Sequence, residues 1–162
     1  MRAIKGLMYI ALVMIGFVLI SCSKDSSNPV TPLISSKFTC TLNGGGYTNQ
    51  TITLTSTGGS IYASDEDKTG IVFSNSTNDI VGGLVINGKS TGTFTIDVSN
   101  YEVTISISDK TPIVLTSGTI VVTGYGSVGG EVKGTFSGTS LNPSTLETVQ
   151  VTNGSFSAKR IM

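Results

Sequence analysis

From Lys37 onward the apolar residues recur at every second position, and this period limits what the chain can fold into more than any other feature. Phe38/Cys40/Leu42, Ile52/Leu54, Phe94/Ile96/Val98 and Tyr101/Val103/Ile105/Ile107 alternate with residues that are mostly Thr and Ser, and Val132 and Phe136 do so around Gly134. Successive side chains of a strand point to opposite faces, so each run describes a half-buried strand with one apolar and one hydroxyl side. Ile113 to Leu115 and Ile120 to Val122 are instead unbroken apolar runs, the pattern of central strands covered on both sides. No helix of consequence is expected after the N-terminal segment.

Turn residues separate these runs at short intervals. Asn43-Gly44, Gly58-Gly59, Asn87-Gly88 and Asn153-Gly154 tolerate the positive φ of tight hairpin turns. Ser99-Asn100 reads as another hairpin, and Asp109-Lys110-Thr111-Pro112 as a longer turn. About ten short strands with such punctuation predict an all-β fold, a single antiparallel β-sandwich or open barrel.

The N-terminus follows other rules. Arg2 and Lys5 precede fourteen uncharged residues, 7–20, and the chain turns polar at Ser21. This is the basic and then apolar pattern of an export signal. It is shorter than the roughly 20 residues of a membrane-spanning helix. Its end, Leu19-Ile20-Ser21-Cys22, resembles the lipobox of bacterial lipoproteins. The resemblance implies cleavage before Cys22, a diacylglyceryl thioether on its thiol and acylation of the new amino group. Two or more acyl chains anchor stably where one does not. The expected organisation is a signal peptide at 1–21, a lipidated Cys22 with a flexible linker to 36, and an all-β domain at 37–162. The linker, Ser23 to Ser36, is polar with Pro29 and Pro32, and as a coil it reaches about 20 Å. The domain is therefore expected to stay near the membrane.

Composition narrows the functional classes. Without 1–21, the 141 remaining residues (162 − 21) carry 8 basic and 10 acidic side chains, no Trp and no His. No basic stripe for nucleic acid is present. Without imidazole there is no Ser-His-Asp or Cys-His arrangement and no histidine metal site. Ser and Thr supply 21 and 23 of those residues, and Thr favours strands while keeping their outer faces polar. Cys40, the only other cysteine, lies on the apolar side of its run and reads as a small core residue.

Several short motifs together resemble a group of small, uncharacterised lipoproteins of Bacteroidetes and related bacteria. They are Phe38-Thr39-Cys40-Thr41-Leu42-Asn43-Gly44, Ser117-Gly118-Thr119-Ile120-Val121-Val122-Thr123, Gly134-Thr135-Phe136-Ser137 and Val151-Thr152-Asn153-Gly154-Ser155-Phe156. The resemblance implies a hairpin after the first strand and a Gly-Thr-Phe-Ser strand pairing with a Thr-Asn-Gly-x-Phe hairpin. Tyr47 stands where the group often has Trp. No catalytic residue carries over. By resemblance, Ser23 in place of Asp implies release from the inner membrane. Lys24-Asp25 is similar to a surface-export signal that usually has acids where Ser26 and Ser27 stand. Outer membrane is the expected address, with its face open.

The candidate sites are sparse. Asp65-Glu66-Asp67-Lys68-Thr69-Gly70 has the oxygen spacing of half a calcium loop, with Asp65 and Asp67 as ligands, but Ser76 stands where a bidentate Glu is needed. A polar hairpin loop gives the same pattern. Asp79, Asp97, Glu102, Asp109, Glu131 and Glu147 sit in turns or on hydroxyl faces, where solvated charge is the default. Gly124-Tyr125-Gly126-Ser127-Val128-Gly129-Gly130 lacks the Lys-Ser/Thr of a phosphate loop and reads as a hairpin connection. Thr51/Thr53/Thr55 and Thr91/Thr93/Thr95 form ladders that suit sugars, an ordered water layer or plain solvent. The sequence thus predicts a non-catalytic binding or structural component of the envelope, without a cofactor, whose partner is an envelope protein or a glycan. A carrier of a small apolar ligand and a carboxylate-based hydrolase are the alternatives.

Overall fold

The computed structural model describes residues 36–162 except 57–58, 64–65, 76, 78, 98–101 and 143–145, with backbone alone at 56 and 59–63. Eleven strands make up the domain: β1 (Ser36–Gly44), β2 (Tyr47–Ser56), β3 (Gly59–Ala63), β4 (Lys68–Ser74), β5 (Ile80–Asn87), β6 (Gly92–Thr95), β7 (Glu102–Ile107), β8 (Ile113–Val114), β9 (Ser117–Tyr125), β10 (Glu131–Leu141) and β11 (Thr148–Arg160). Ser36, which the sequence assigns to the linker, is already a buried residue of β1.

Six strands form one antiparallel sheet in the order β6-β9-β10-β11-β1-β2. A second sheet runs β3-β4-β5-β7, with the two-residue β8 paired to β7. The result is a β-sandwich, one of the two expected architectures. The long β11 connects the two sheets: β1 pairs with Gln150 to Ser157, and beyond it Lys159 and Arg160 bridge Gly59 and Ser60 of β3 in parallel. The opposite corner is a change of sheet within one segment. Leu115 donates its N–H to Val103 of β7 at 3.0 Å, and Thr116 donates to Thr139 of β10 at 2.8 Å. The apolar run Ile113 to Leu115 is thus a corner rather than a central strand. Ile120 to Val122 is not a central strand covered on both sides either: it lies on β9, next to the edge strand β6, and Val121 faces outward and is half-buried.

Several turn assignments shift. In the first hairpin Gly44 pairs with Tyr47, so the central residues are Gly45 and Gly46, at φ 59° and 85°. Asn43 instead binds across to a bulge, its amide donating to Asn49 Oδ1 at 2.9 Å while its Oδ1 accepts the Asn49 N–H at 2.8 Å. Asn153-Gly154 is not a hairpin at all. The step of two residues from Phe136 to Gly138 on β10 lies opposite a step of three from Gly154 to Val151 on β11, and Asn153 sits at φ 52° in the bulge this makes. Asn87-Gly88 begins the crossing from β5 to β6, strands of different sheets. Gly59 opens β3, which is not a partner of β2, and Gly58 falls outside the described residues. So does Ser99-Asn100, and the strands on either side of it, β6 and β7, belong to different sheets. The Asp109 turn joins β7 to β8 as expected, with Asp109 at φ 63°.

The apolar sides meet between the sheets. Phe38 of β1 is fully buried, with its ring centroid 5.0 Å from that of Phe136 on β10 and 5.4 Å from that of Phe73 on β4. It rests on Gly82 of β5, where a Cβ would come within 3.0 Å of the ring. A second device lies in the β10/β11 pair. Gly134 stands opposite Phe156, and Phe136 opposite Gly154, so each ring covers the glycine across from it. This reciprocal packing is the physical content of the Gly-Thr-Phe and Gly-Ser-Phe motifs.

Candidate functional site

The outward side chains of the six-stranded sheet form an ordered field of hydroxyls. In register, one row reads Thr93, Val121, Thr135, Ser155, Thr39, Thr53 across β6, β9, β10, β11, β1 and β2. The next reads Thr95, Thr119, Ser137, then Thr152 at the bulge, Thr41 and Thr51. Neighbouring strands lie about 4.8 Å apart and alternate residues about 6.8 Å apart, so the field repeats in two directions. Thr51, Thr53, Thr93, Thr95, Thr119, Thr135 and Ser137 are all exposed.

The hydrogen bonding leaves this field open. Thr39 and Thr53 hydroxyls lie 3.4 Å apart, and Ser117 and Thr139 hydroxyls 2.7 Å apart. Among the described residues, the side chains of Thr51, Thr93, Thr95, Thr119, Thr135 and Ser137 make no hydrogen bond within the chain. Each such hydroxyl offers one donor and two acceptor positions beside a methyl or methylene group. Binding here removes no charge from water, which keeps the desolvation cost low. The field is suited to holding a polar partner and contains no titratable group for bond making.

Charge collects at one border, where β1 begins and β11 ends. Lys37 and Lys133 both stand opposite Ser157, and Lys159 opposite Glu131. Glu131 accepts the Ser157 hydroxyl at 2.5 Å and pairs with Lys133 at 3.2 Å. The Ser157 hydrogen bond first, and Lys133 second, hold its carboxyl below the usual carboxylate range.

The candidates drawn from sequence do not converge. Cys22 and Asp65 lie outside the described residues, as does Ser76. Asp67 is exposed in the β3–β4 turn at φ 50°, where its carbonyl accepts the Gly88 N–H at 2.6 Å. Among the described residues no three acidic or sulfur ligands gather around a point that could hold a metal. Glu102 accepts the Thr104 hydroxyl at 2.8 Å, Glu66 lies 3.9 Å from Lys68, and Asp79, Asp97, Asp109 and Glu147 are exposed on separate elements. Tyr62 and Tyr101 side chains are not described, Tyr47 is buried beneath Lys110, and Tyr125 is half-buried. Neither described tyrosine of the domain is exposed.

Gly126 to Gly130 is a pinned connection, with Gly129 donating to Arg160 and Arg160 to Gly130, both at 2.8 Å. Beneath it, the Thr69 hydroxyl donates to Gly88 O at 2.7 Å and so accepts from the Tyr125 hydroxyl at 2.6 Å. Arg160 lies 5.1 Å from the Tyr125 ring centroid and donates to Gly126 O at 3.0 Å. These bonds tie β4, β9 and β11 together at a corner.

Cys40 is a core residue, as its position in the alternation indicates. Burial pushes its thiol up to about 12 from 9.0, so the nucleophilic thiolate is suppressed. The raised value has a stability consequence. Between those values the unfolded chain releases the thiol proton and the folded chain keeps it, so stability falls as pH rises above 9. Urea titrations of the wild type and Cys40→Ala are expected to diverge there, the wild type losing up to about 1.4 kcal/mol more per pH unit.

Comparison with known protein families, characterised proteins and solved structures gives no match to this chain. The threonine ladders at Thr51 to Thr55 and Thr91 to Thr95 were visible in sequence, but their union with Thr39, Thr135 and Ser155 was not. That union depends on the strand order, for which no local signal exists.

Proposed function

We propose that the chain is a lipid-anchored component of the bacterial envelope, held through Cys22 at the outer membrane, that binds a partner non-catalytically through the hydroxyl field of its six-stranded sheet. The observation that carries this reading is the alignment of Thr93, Thr135, Ser155, Thr39 and Thr53 in one row of exposed or half-exposed side chains. Five strand spacings by two rows of alternate residues give a field of about 24 Å by about 14 Å. That is less than half the ~800 Å² which a standard interface takes from each partner. The field suits a transient protein contact or a glycan chain better than a permanent subunit.

The carrier reading draws no support from a sandwich centre occupied by Phe38, Phe73 and Phe136 in mutual contact. The anchor reading rests on the lipobox and on the short linker that follows it. Two results are expected. Radiolabelled fatty acid enters the wild type and not Cys22→Ala. Retrieval of bound envelope material by the wild type is lost in Thr39→Lys/Thr53→Lys/Thr135→Lys, whose outward positions leave the core intact. Label persisting in Cys22→Ala would overturn the anchor, and unchanged retrieval would overturn the face.

A further inference from the structure

The end of the sandwich that receives the linker differs chemically from the rest of the surface. Ser36 opens β1 there, and its hydroxyl accepts the Lys159 N–H at 3.4 Å. Lys37, Lys133 and Lys159 gather on the outer side of this end around a single acid, Glu131. Beside them the β9–β10 turn presents Val128 at 63% exposure, and its neighbour Gly129 is bonded to Arg160. Arg160 curls the last residues back by donating to Met162 O at 3.0 Å, leaving Met162 49% exposed. Two of the four exposed large hydrophobic residues among those described thus border the lysine cluster. Beyond Tyr125, on the side of the second sheet, Lys68 is met by Glu66 at 3.9 Å.

We propose that this end docks onto a phospholipid surface carrying anionic headgroups, with Val128 and Met162 entering the interface and Lys37, Lys133 and Lys159 meeting lipid phosphates. The proposal rests on the lipid-anchor reading for its occupant. Thirteen residues separate Cys22 from Ser36, and as a coil they reach about 20 Å, so an acylated Cys22 would bring this end nearest the lipid. Basic groups close to an anionic leaflet gain attraction within a Debye length, about 10 Å at 0.1 M salt. Apolar side chains beside basic ones are the combination that holds a protein at the headgroup boundary. The docked domain would stand on the linker end and leave the first hairpin and Leu146, at the other end of β1 and β11, facing away.

The test holds the full chain on vesicles in two ways, by its own lipid and, in Cys22→Ala, by a histidine tag inserted after residue 22 on nickel-chelating lipid. An environment-sensitive fluorophore is placed on Val128→Cys or, as the distal comparison, on Leu146→Cys; buried Cys40 does not compete for label. Nitroxide lipids are expected to quench the Val128 probe in phosphatidylglycerol-rich vesicles, less in phosphatidylcholine or at high salt, and to leave the Leu146 probe unquenched. Each lysine contributes about fivefold near an anionic surface. Lys37→Gln/Lys133→Gln/Lys159→Gln is therefore expected to lower the docked fraction's equilibrium constant by about a hundredfold. Equal quenching of the two probes in anionic vesicles would overturn the docking, and equal quenching in both lipids would overturn the role of charge. Fatty-acid label absent from the wild type, with the tagged chain still docking, would sink the anchor alone.

Discussion

Phe38→Ala is expected to cost the domain about 4 kcal/mol, the range for removing a fully buried phenylalanine from a packed core. Domains of this size are stable by roughly 5–15 kcal/mol, so one substitution would consume a large share of the total. The magnitude follows from position. Phe38 contacts Phe73 and Phe136 on the two sheets and lies on the open backbone of Gly82, so no larger neighbour stands ready to refill the space. Phe38→Leu keeps most of the volume and is expected to cost about 1.5 kcal/mol or less. Urea unfolding of the three proteins checks this, and a loss below about 1 kcal/mol for Phe38→Ala would mean that the ring does not join the sheets.

Gly154→Ala is expected to be nearly as damaging, about 3 kcal/mol, though it adds only a methyl group. The new Cβ would meet the Phe136 carbonyl oxygen and come within 2.6 Å of the Phe136 ring. Forced overpacking usually costs about 1–3 kcal/mol, and a collision with backbone in the middle of a ladder lies at the upper end. Adding Phe136→Leu to Gly154→Ala relieves the ring contact but not the carbonyl contact. Thermal or urea unfolding of the double variant should therefore show less than the sum of the single effects, because the two residues share one space. Strict additivity would contradict the reciprocal packing of glycine and phenylalanine.

What the sequence discloses, and what it withholds, divides by range. The alternation at Phe38/Cys40/Leu42 shows which side of β1 is buried, because facing depends only on local period. The Asn153-Gly154 pair shows the limit of that reading. A residue at positive φ followed by glycine serves a tight turn and a β-bulge equally well, and only the pairing with both β10 and β1 distinguishes them. In Gly44-Gly45-Gly46 any adjacent pair can form the turn, and the one chosen leaves Asn43 free to bridge the bulge at Asn49. Runs that are neighbours in sequence, such as those of β6 and β7, part company because the chain crosses between sheets after β5 and again after β6. The hydroxyl field and the lysine cluster are assembled entirely by such long-range pairing. Their members were legible singly, and their association was not.

The central claim is that the outer face of the six-stranded sheet is where this protein meets its partner. Photo-cross-linking in living cells tests it most directly, with a photoreactive residue placed in turn at Thr53, Thr135 and Thr95 on that face and at exposed Ser108 and Lys110 in the β7–β8 turn. The account predicts a common adduct from the three sheet positions and none from the two turn positions. Adducts from the turn alone, or a sheet face that captures nothing, would contradict it.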